Sequence, residues 1–339
     1  VASAVVVQVS RRSDGACLFA HAVGRVSADL GSPSVGLHSR FDLASITKAF
    51  TAVAVLRLVE RSVLSLSDDV GAVLGEAPDG GHAGMTLRHL LEHDSGLPAW
   101  RPLHADGDVV QAALRVPAEA APGARHIYSD VGFLVLDAAL RRRVGRSAAE
   151  LVRAEVLEPL ALTSTGFRGV GQSAEAAQRL LATGDFVACE VCPDRGLLVG
   201  EVSDENAHAM GGAAPHAGLF GTAADLAAFG LAVLAGPPLL AEPTRRALFE
   251  GRPSHAGGHL LGWTPSRPRA TRPLAACSRR GVGDTSDSPG PPCGWIPIGG
   301  WRSWCWPIAC TPAATRPAGS LCAPSCTTRF HGLRTRCND

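Results

Sequence analysis

The sequence predicts an α/β chain, with strands near its two ends and helices through its middle. Two observations carry that reading. The opening stretches AVVVQVS and ACLFAHAVG are apolar runs of strand length, separated by the turn signal Asp14-Gly15. Residues 44–63, ASITKAFTAVAVLRLVERSV, show helical apolar spacing and contain neither Gly nor Pro. The first pair therefore reads as a hairpin and the second segment as a helix. Further along, TLRHLLEHDSG predicts another helix, with Thr86 as N-cap and Gly96 and Pro98 marking its end. Tyr128 falls in a loop after Pro122-Gly123, and Asp130 is a candidate cap for the apolar helix VGFLVLDAALRRR. Ser147 with Glu150 and Thr222 with Asp225 read as two capping boxes, each opening an amphipathic helix.

With 339 residues, 46% of them hydrophobic, the chain can bury a substantial core, as one large domain or two interleaved ones. A formal net charge of +1 gives no sign of nucleic acid or an anionic membrane as partner. No apolar run approaches the ~20 residues that span a bilayer. The longest, Leu226 to Ala241, is cut by Gly230, Gly236, Pro237 and Pro238. The chain opens at Val1 without methionine or a basic n-region, so a signal peptide is either lacking or removed, and the compartment stays open.

Lys48 is the only lysine in a chain whose other basic charges are arginines, and Tyr128 is the only tyrosine. A gene rich in G and C accounts for the scarcity of both residues but not for the two that remain. Arginine replaces a surface lysine in most roles except one, because its guanidinium keeps its proton whereas a desolvated amine can lose it. A lone lysine here is thus a candidate for proton chemistry. Ser45 precedes it by three residues, so the two side chains share one helical face. Ser45 also lies at the helix start, where N–H groups and the positive dipole end favour an oxyanion. Serine is a poor nucleophile until a base activates it, and a lysine shielded from water serves if desolvation lowers its ordinary pKa of ~10.4. Tyr128 is the second proton relay, toward the leaving group.

On these residues the chain resembles a known family. FDLASITKAFTAVAVLRLVE, LRHLLEHDSGLPAW, YSDVGF and HAGLFGTAADLAAF are similar to the serine hydrolases of the penicillin-binding-protein and class C β-lactamase family, closest to its esterase and peptidase-like members. The likeness runs from about residue 1 to about residue 263. It implies an acyl-enzyme on Ser45 with Lys48 and Tyr128 as general base and acid, and a small-molecule or peptide substrate: an ester, a D-amino peptide or amide, or a β-lactam. It also implies an α/β domain with an antiparallel sheet, made from residues 1–60 and 211–283, around an inserted helical domain of 61–210. The family needs no metal or organic cofactor. Oligomeric state is left open.

Two departures stand out. The family's second motif is usually Tyr-x-Asn, and here it is Tyr128-Ser129-Asp130. An amide donates to a substrate carbonyl, whereas an ionised carboxylate only accepts, which suits an ester or a substrate carrying an amine. The other reading of Asp130 is a plain helix cap. The third motif, Lys-Thr-Gly or His-Thr-Gly on an inner strand, is replaced by Gly283-Asp284-Thr285-Ser286, which makes Asp284 and Thr285 the candidate substrate-binding positions. His216-Ala217-Gly218 looks similar but belongs to the earlier HAGLF segment.

Composition changes at the same place. No glutamate follows Glu250, while seven of the ten cysteines and four of the six tryptophans lie after residue 263. Prolines interrupt this segment too often for a helix or a central strand, and seven cysteines do not close a disulfide framework. A shifted reading frame near Gly283 accounts for the change, and residues 284–339 would then carry no selected structure. The alternative to an active hydrolase is accordingly a catalytically impaired relative. A more remote one is a zinc peptidase, since His89, Glu92 and His93 match His-x-x-Glu-His; a structural role at the helix end is the competing and stronger reading. Cys189 and Cys192 form a lone Cys-x-x-Cys, and Asp204 and Glu205 of SDENA are either cleft residues or an exposed polar loop.

Overall fold

The computed structural model describes residues 4–77, 81–256 and 258–264, and the backbone of 308–310. Asp284, Thr285 and the altered tail, apart from the backbone of 308–310, lie outside the described residues. In chain order the elements are β1 (Ala4–Ser10), β2 (Cys17–Gly24), β3 (Phe41–Asp42), α1 (Thr47–Glu60), α2 (Val70–Leu74), α3 (Leu87–Glu92), α4 (Val109–Ala113), α5 (Asp130–Val144), α6 (Ala148–Val152), β4 (Gly166–Phe167), α7 (Ala174–Thr183), β5 (Ala188–Cys192), β6 (Gly196–Val199), α8 (Glu205–Ala209), β7 (Leu219–Gly221), α9 (Ala223–Ala235), α10 (Glu242–Glu250) and β8 (Ile308–Cys310). The fold is α/β, with antiparallel sheets and flanking helices.

The hairpin expected at Asp14-Gly15 is present: β1 and β2 pair antiparallel from Ala4 opposite Gly24 to Ser10 opposite Cys17. Gly15 adopts φ +73°, the left-handed conformation that glycine takes without steric cost. On its other edge β1 pairs antiparallel with β8, Ala4 opposite Cys310. That strand falls inside the segment read as out of frame. A bare β1 edge would leave backbone N–H and C=O groups unpaired, and residues 308–310 supply their partners. A second sheet has the order β3-β7-β4, and β5 and β6 form a separate hairpin. Strands therefore also occur in the middle of the chain, where helices were expected to dominate.

α1 is buried on nearly every side, from Thr47 through Leu56, as a helix apolar all round must be. It is shorter than the predicted 44–63. Ala44 has φ +45° and Ser45 sits in a 3-10 turn, so the α-helix begins only at Thr47. At the other end Ser62 turns left-handed (φ +57°), and Val63 N donates to Leu58 O at 3.0 Å, which closes the helix by a Schellman motif. The next predicted helix ends early in the same way. Thr86 caps α3 as expected, accepting from His89 N, but His93 at φ +59° stops it before Gly96, with Asp94 N donating to His89 O at 3.0 Å. Such conformations cost a non-glycine residue about 1–2 kcal/mol, so the surrounding structure holds them in place.

Ser129 caps α5, its Oγ accepting from Gly132 N at 2.8 Å and donating to Pro98 O at 2.6 Å. The cap reading of Asp130 is thereby corrected: it is the first helical residue, and its carboxylate is engaged elsewhere. The Ser147–Glu150 box forms in both halves. The Thr222–Asp225 box forms in one, because the Asp225 carboxylate accepts from Ser164 N instead of reaching back. At the heart of the core Phe50 on α1 stacks on Phe229 of α9, with ring centroids 3.8 Å apart. No helix among the described residues is long and apolar enough to cross a membrane.

Candidate active site

Short elements aim the site. β3 pairs with β7 through Phe41 and Asp42, and Leu43 N donates to Leu219 O at 2.8 Å. Leu219 N in turn donates to Thr47 Oγ1 at 3.3 Å. The chain then has to turn within residues 43–46 to enter α1, and the Asp42 carboxylate holds that turn: Oδ1 accepts from Ala44 N (2.8 Å) and Oδ2 from Ser203 N (2.9 Å). β7 can come this close because the segment leading into it bears glycines where a side chain would collide. A Cβ on Gly218 would lie 2.2 Å from Gly212 O, and one on Gly212 would lie 2.0 Å from Arg168 O.

Ser45 leaves this turn beside Lys48. The lysine ammonium donates to Ser45 Oγ at 2.9 Å and lies 2.7 Å from Asp130 Oδ1, a contact of ion-pair type. Nζ also sits 4.7 Å from the centroid of the Tyr128 ring, within cation–π range. The Lys48 side chain is 3% exposed, whereas Tyr128 is 40% exposed. Ser45, Lys48, Tyr128 and Asp130 thus meet in one place; Asp284 and Thr285 are outside the described residues. Burial alone would push the Lys48 amine down, as the sequence argument required. The Asp130 carboxylate and the Tyr128 hydroxyl outweigh it and push the pKa up, so the free site holds Lys48 as an ammonium.

Around this core lies a network the sequence did not disclose. His216 Nε2 is 3.0 Å from Asp204 Oδ1, and Asp204 also accepts from Ala207 N at the start of α8. Burial raises the Asp204 carboxyl, but His216 and these donors hold it down at about 2. Asp42, also buried, is raised by that burial to about 6, with Asp204 and Glu190 adding repulsion. Among the described residues, the one group of three or more metal-ligating side chains with converging atoms is Asp130, Asp204 and His216, all within 4.8 Å of one another. The residues of the zinc-peptidase pattern are not such a group. His89 Nδ1 accepts from Thr86 N, His93 Nδ1 accepts from Ser129 N, and Glu92 holds Arg88. Of the SDENA residues, Asp204 reaches the site and Asn206 is a pin, bonding His104 N and Arg101 O; Glu205 opens α8.

Tyr128 leans on imidazoles. The His93 ring lies 4.4 Å and the His259 ring 5.5 Å from it, and His126 Nε2 is 2.9 Å from His259 Nδ1. Burial pushes all three down, helped at His93 and His259 by neighbouring imidazoles and Lys48 and at His126 by His255, and His259 reaches about 4. A histidine with a depressed folded pKa contributes stability that is present above its unfolded value of ~6.5 and is lost as pH falls toward the folded one. Stability should therefore drop between pH 6.5 and about 4, with His259 contributing on the order of 2 kcal/mol. Urea titrations across this range check it: His259→Gln should flatten the slope, and an unchanged slope would count against the assignment.

The profile of the Beta-lactamase family matches residues 4–306, well beyond the residue 263 at which the sequence likeness was expected to stop. Among curated proteins the chain is 29% identical over 211 residues to an N-acetylmuramyl-L-alanine amidase of Bacillus subtilis, covering 55% of this chain and 48% of the relative. It is 30% identical over 212 residues to a putative D-alanyl-D-alanine carboxypeptidase of Escherichia coli K12 (55% and 49%), and 33% identical over 177 residues to esterase EstB of Burkholderia gladioli (45% and 44%). The chain spans about half the length of the curated relatives it matches. In fold it is similar to the octameric penicillin-binding protein homologue from Pyrococcus abyssi, with TM-score 0.57, 21% identity and coverage of 73% of this chain and 56% of that one. It is likewise similar to the D-amino acid amidase of Ochrobactrum anthropi SV3, with TM-score 0.56, 17% identity and coverage of 73% and 69%. A sheet-borne turn presenting Ser-x-x-Lys against Tyr-x-Asp, together with a profile match over most of its length, makes this chain a member of the Beta-lactamase family.

Proposed function

We propose that the protein is a serine hydrolase that works through an acyl-enzyme on Ser45. One observation carries the reading: a buried lysine amine donating to the candidate nucleophile at 2.9 Å. In the acylation step Ser45 Oγ attacks the substrate carbonyl carbon while its proton passes to the Lys48–Tyr128 pair. The pair returns a proton to the leaving group as the carbonyl–leaving-group bond breaks, and water then releases the acyl group by the same path. Because Lys48 rests as an ammonium, it must first pass its own proton on, and the Asp130 carboxylate, 2.7 Å away, is the acceptor within reach. With Ala44 N and Ile46 N already engaged, the Ser45 N–H is our candidate donor to the oxyanion. We read residues 1–60 and 211–283 as the domain that holds this turn, with 61–210 inserted. The substrate is an ester, a D-amino amide or peptide, or a β-lactam, and the carboxylate at Asp130 favours the first two.

Labelling with a fluorophosphonate, and separately with a fluorescent penicillin, tests the reading. The expected result is an adduct mapped to Ser45 by peptide mass spectrometry and absent from Ser45→Ala. A folded protein that takes neither probe, or a label that survives the substitution, overturns it. Failure would favour the second reading, an impaired relative, which rests on Gly283-Asp284-Thr285-Ser286 standing where the third motif belongs.

A further inference from the structure

Negative charge crowds one side of the candidate nucleophile. Asp130, Asp204 and His216 bring their ligating atoms within 4.8 Å of one another, and Asp42 and Glu190 stand behind Asp204. Lys48 is the cation these groups share, and it is already spanned between Ser45 and Asp130. The His216 side chain is 1% exposed; its Nε2 lies 3.0 Å from the Asp204 carboxylate, and its Nδ1 is buried with no hydrogen-bond partner among the described residues. Two converging carboxylates beside an unpartnered buried ring nitrogen describe a seat for a polar group that carries several N–H donors and a positive charge.

We infer that Asp130 and Asp204 receive the ammonium group of an amine-bearing acyl substrate, an α-amino amide or α-amino ester with its amine free. The inference rests on the Ser45 reading for the chemistry that follows binding. Covalent geometry supports the placement. An α-ammonium nitrogen lies about 2.5 Å from its own carbonyl carbon, and that carbon must come within about 3–3.5 Å of the nucleophile. The amine is thereby confined to the neighbourhood of Ser45, and one lysine ammonium is all that separates Asp130 from the Ser45 hydroxyl. An N-acylated substrate would bring a neutral amide to two carboxylates and forfeit the charge-assisted contacts. Arrival of a second cation also draws Asp130 away from Lys48. The contact that stabilises the lysine ammonium weakens, and its proton leaves more readily for the step in which Ser45 needs a base.

The test separates this seat from the nucleophile. Ser45→Ala, which cannot acylate, is titrated calorimetrically with alaninamide and with N-acetylalaninamide, each as both enantiomers. The free amine should bind about tenfold or more tightly, and Asp130→Asn or Asp204→Asn added to that background should abolish the preference with the fold intact by circular dichroism. Equal affinities, no binding of either compound, or a preference that survives both substitutions overturns the inference. If Asp130→Asn does not fold, loss of the preference at high salt in the Ser45→Ala protein, against no loss, decides the same point. Fluorophosphonate labelling of the unsubstituted chain is read beside it. Labelling without amine preference refutes the seat alone, and amine preference without labelling refutes the nucleophile alone.

Discussion

Lys48→Ala is expected to lower kcat/KM on a p-nitrophenyl ester by about 10³-fold, the usual scale for removal of a positioned general base. It should also destabilise the fold by roughly 2 kcal/mol, because Asp130 is left in the site without its cation. The two effects come apart in combination. Lys48→Ala with Asp130→Asn removes the uncompensated charge, so stability returns while activity does not. Lys48→Arg is the sharper comparison. A guanidinium can still meet Asp130, yet it never releases its proton, so this variant should stay folded and stay inactive. Turnover of Lys48→Arg within about tenfold of the unsubstituted protein would show that Lys48 acts only as a fixed positive charge.

Phe50→Ala is expected to cost about 3–5 kcal/mol of folding free energy, the range for truncating a buried aromatic ring. Phe50 is 0% exposed and stacks flat on Phe229, itself 1% exposed, at 3.8 Å and 12° between planes. The stacking adds about 1 kcal/mol beyond burial. Phe229 also meets Trp263 at 6.0 Å, so the void would loosen the packing of α9 as well as of α1. Lys48 lies two residues before Phe50 on the same helix, and displacement of α1 should reduce activity beyond the loss of folded protein. Phe50→Leu, which keeps most of the volume, should recover more than half of the lost stability. Urea unfolding measures both, and a loss below about 1 kcal/mol for Phe50→Ala would contradict this account of the core.

How much of this was legible in the sequence depends on the range of the signal. Lys48 and Tyr128 stood out because the composition excludes their kind elsewhere, and Ser45 followed from a three-residue spacing that needs only local helix geometry. The β1–β2 hairpin and the Thr86 and Ser147 caps were equally local. β3, β4 and β7 run for two or three residues, too few for an alternating pattern to show, and they exist because tertiary neighbours supply their hydrogen bonds. The early ends of α1 and α3 were hidden because Ser62 and His93 take a conformation that sequence reading assigns to glycine. Ser129 and Asp130 are both good caps by type, and only the position of Lys48 decides which one is spared for the site. The pairing of Asp204 with His216 joins α8 to the segment before β7, a meeting with no period or motif to announce it.

A chain with one lysine side chain is, to an amine-selective reagent, a molecule with a single side-chain address. Here that address is sealed: the Lys48 side chain is 3% exposed and its nitrogen is engaged by Ser45 and Asp130. Acylating or alkylating reagents that decorate most proteins at random would find the folded chain silent at its lysine and the unfolded chain reactive there. The rate at which Lys48 takes up such a reagent is therefore a clock for opening of the pocket around Ser45, read at the atom we propose as its base.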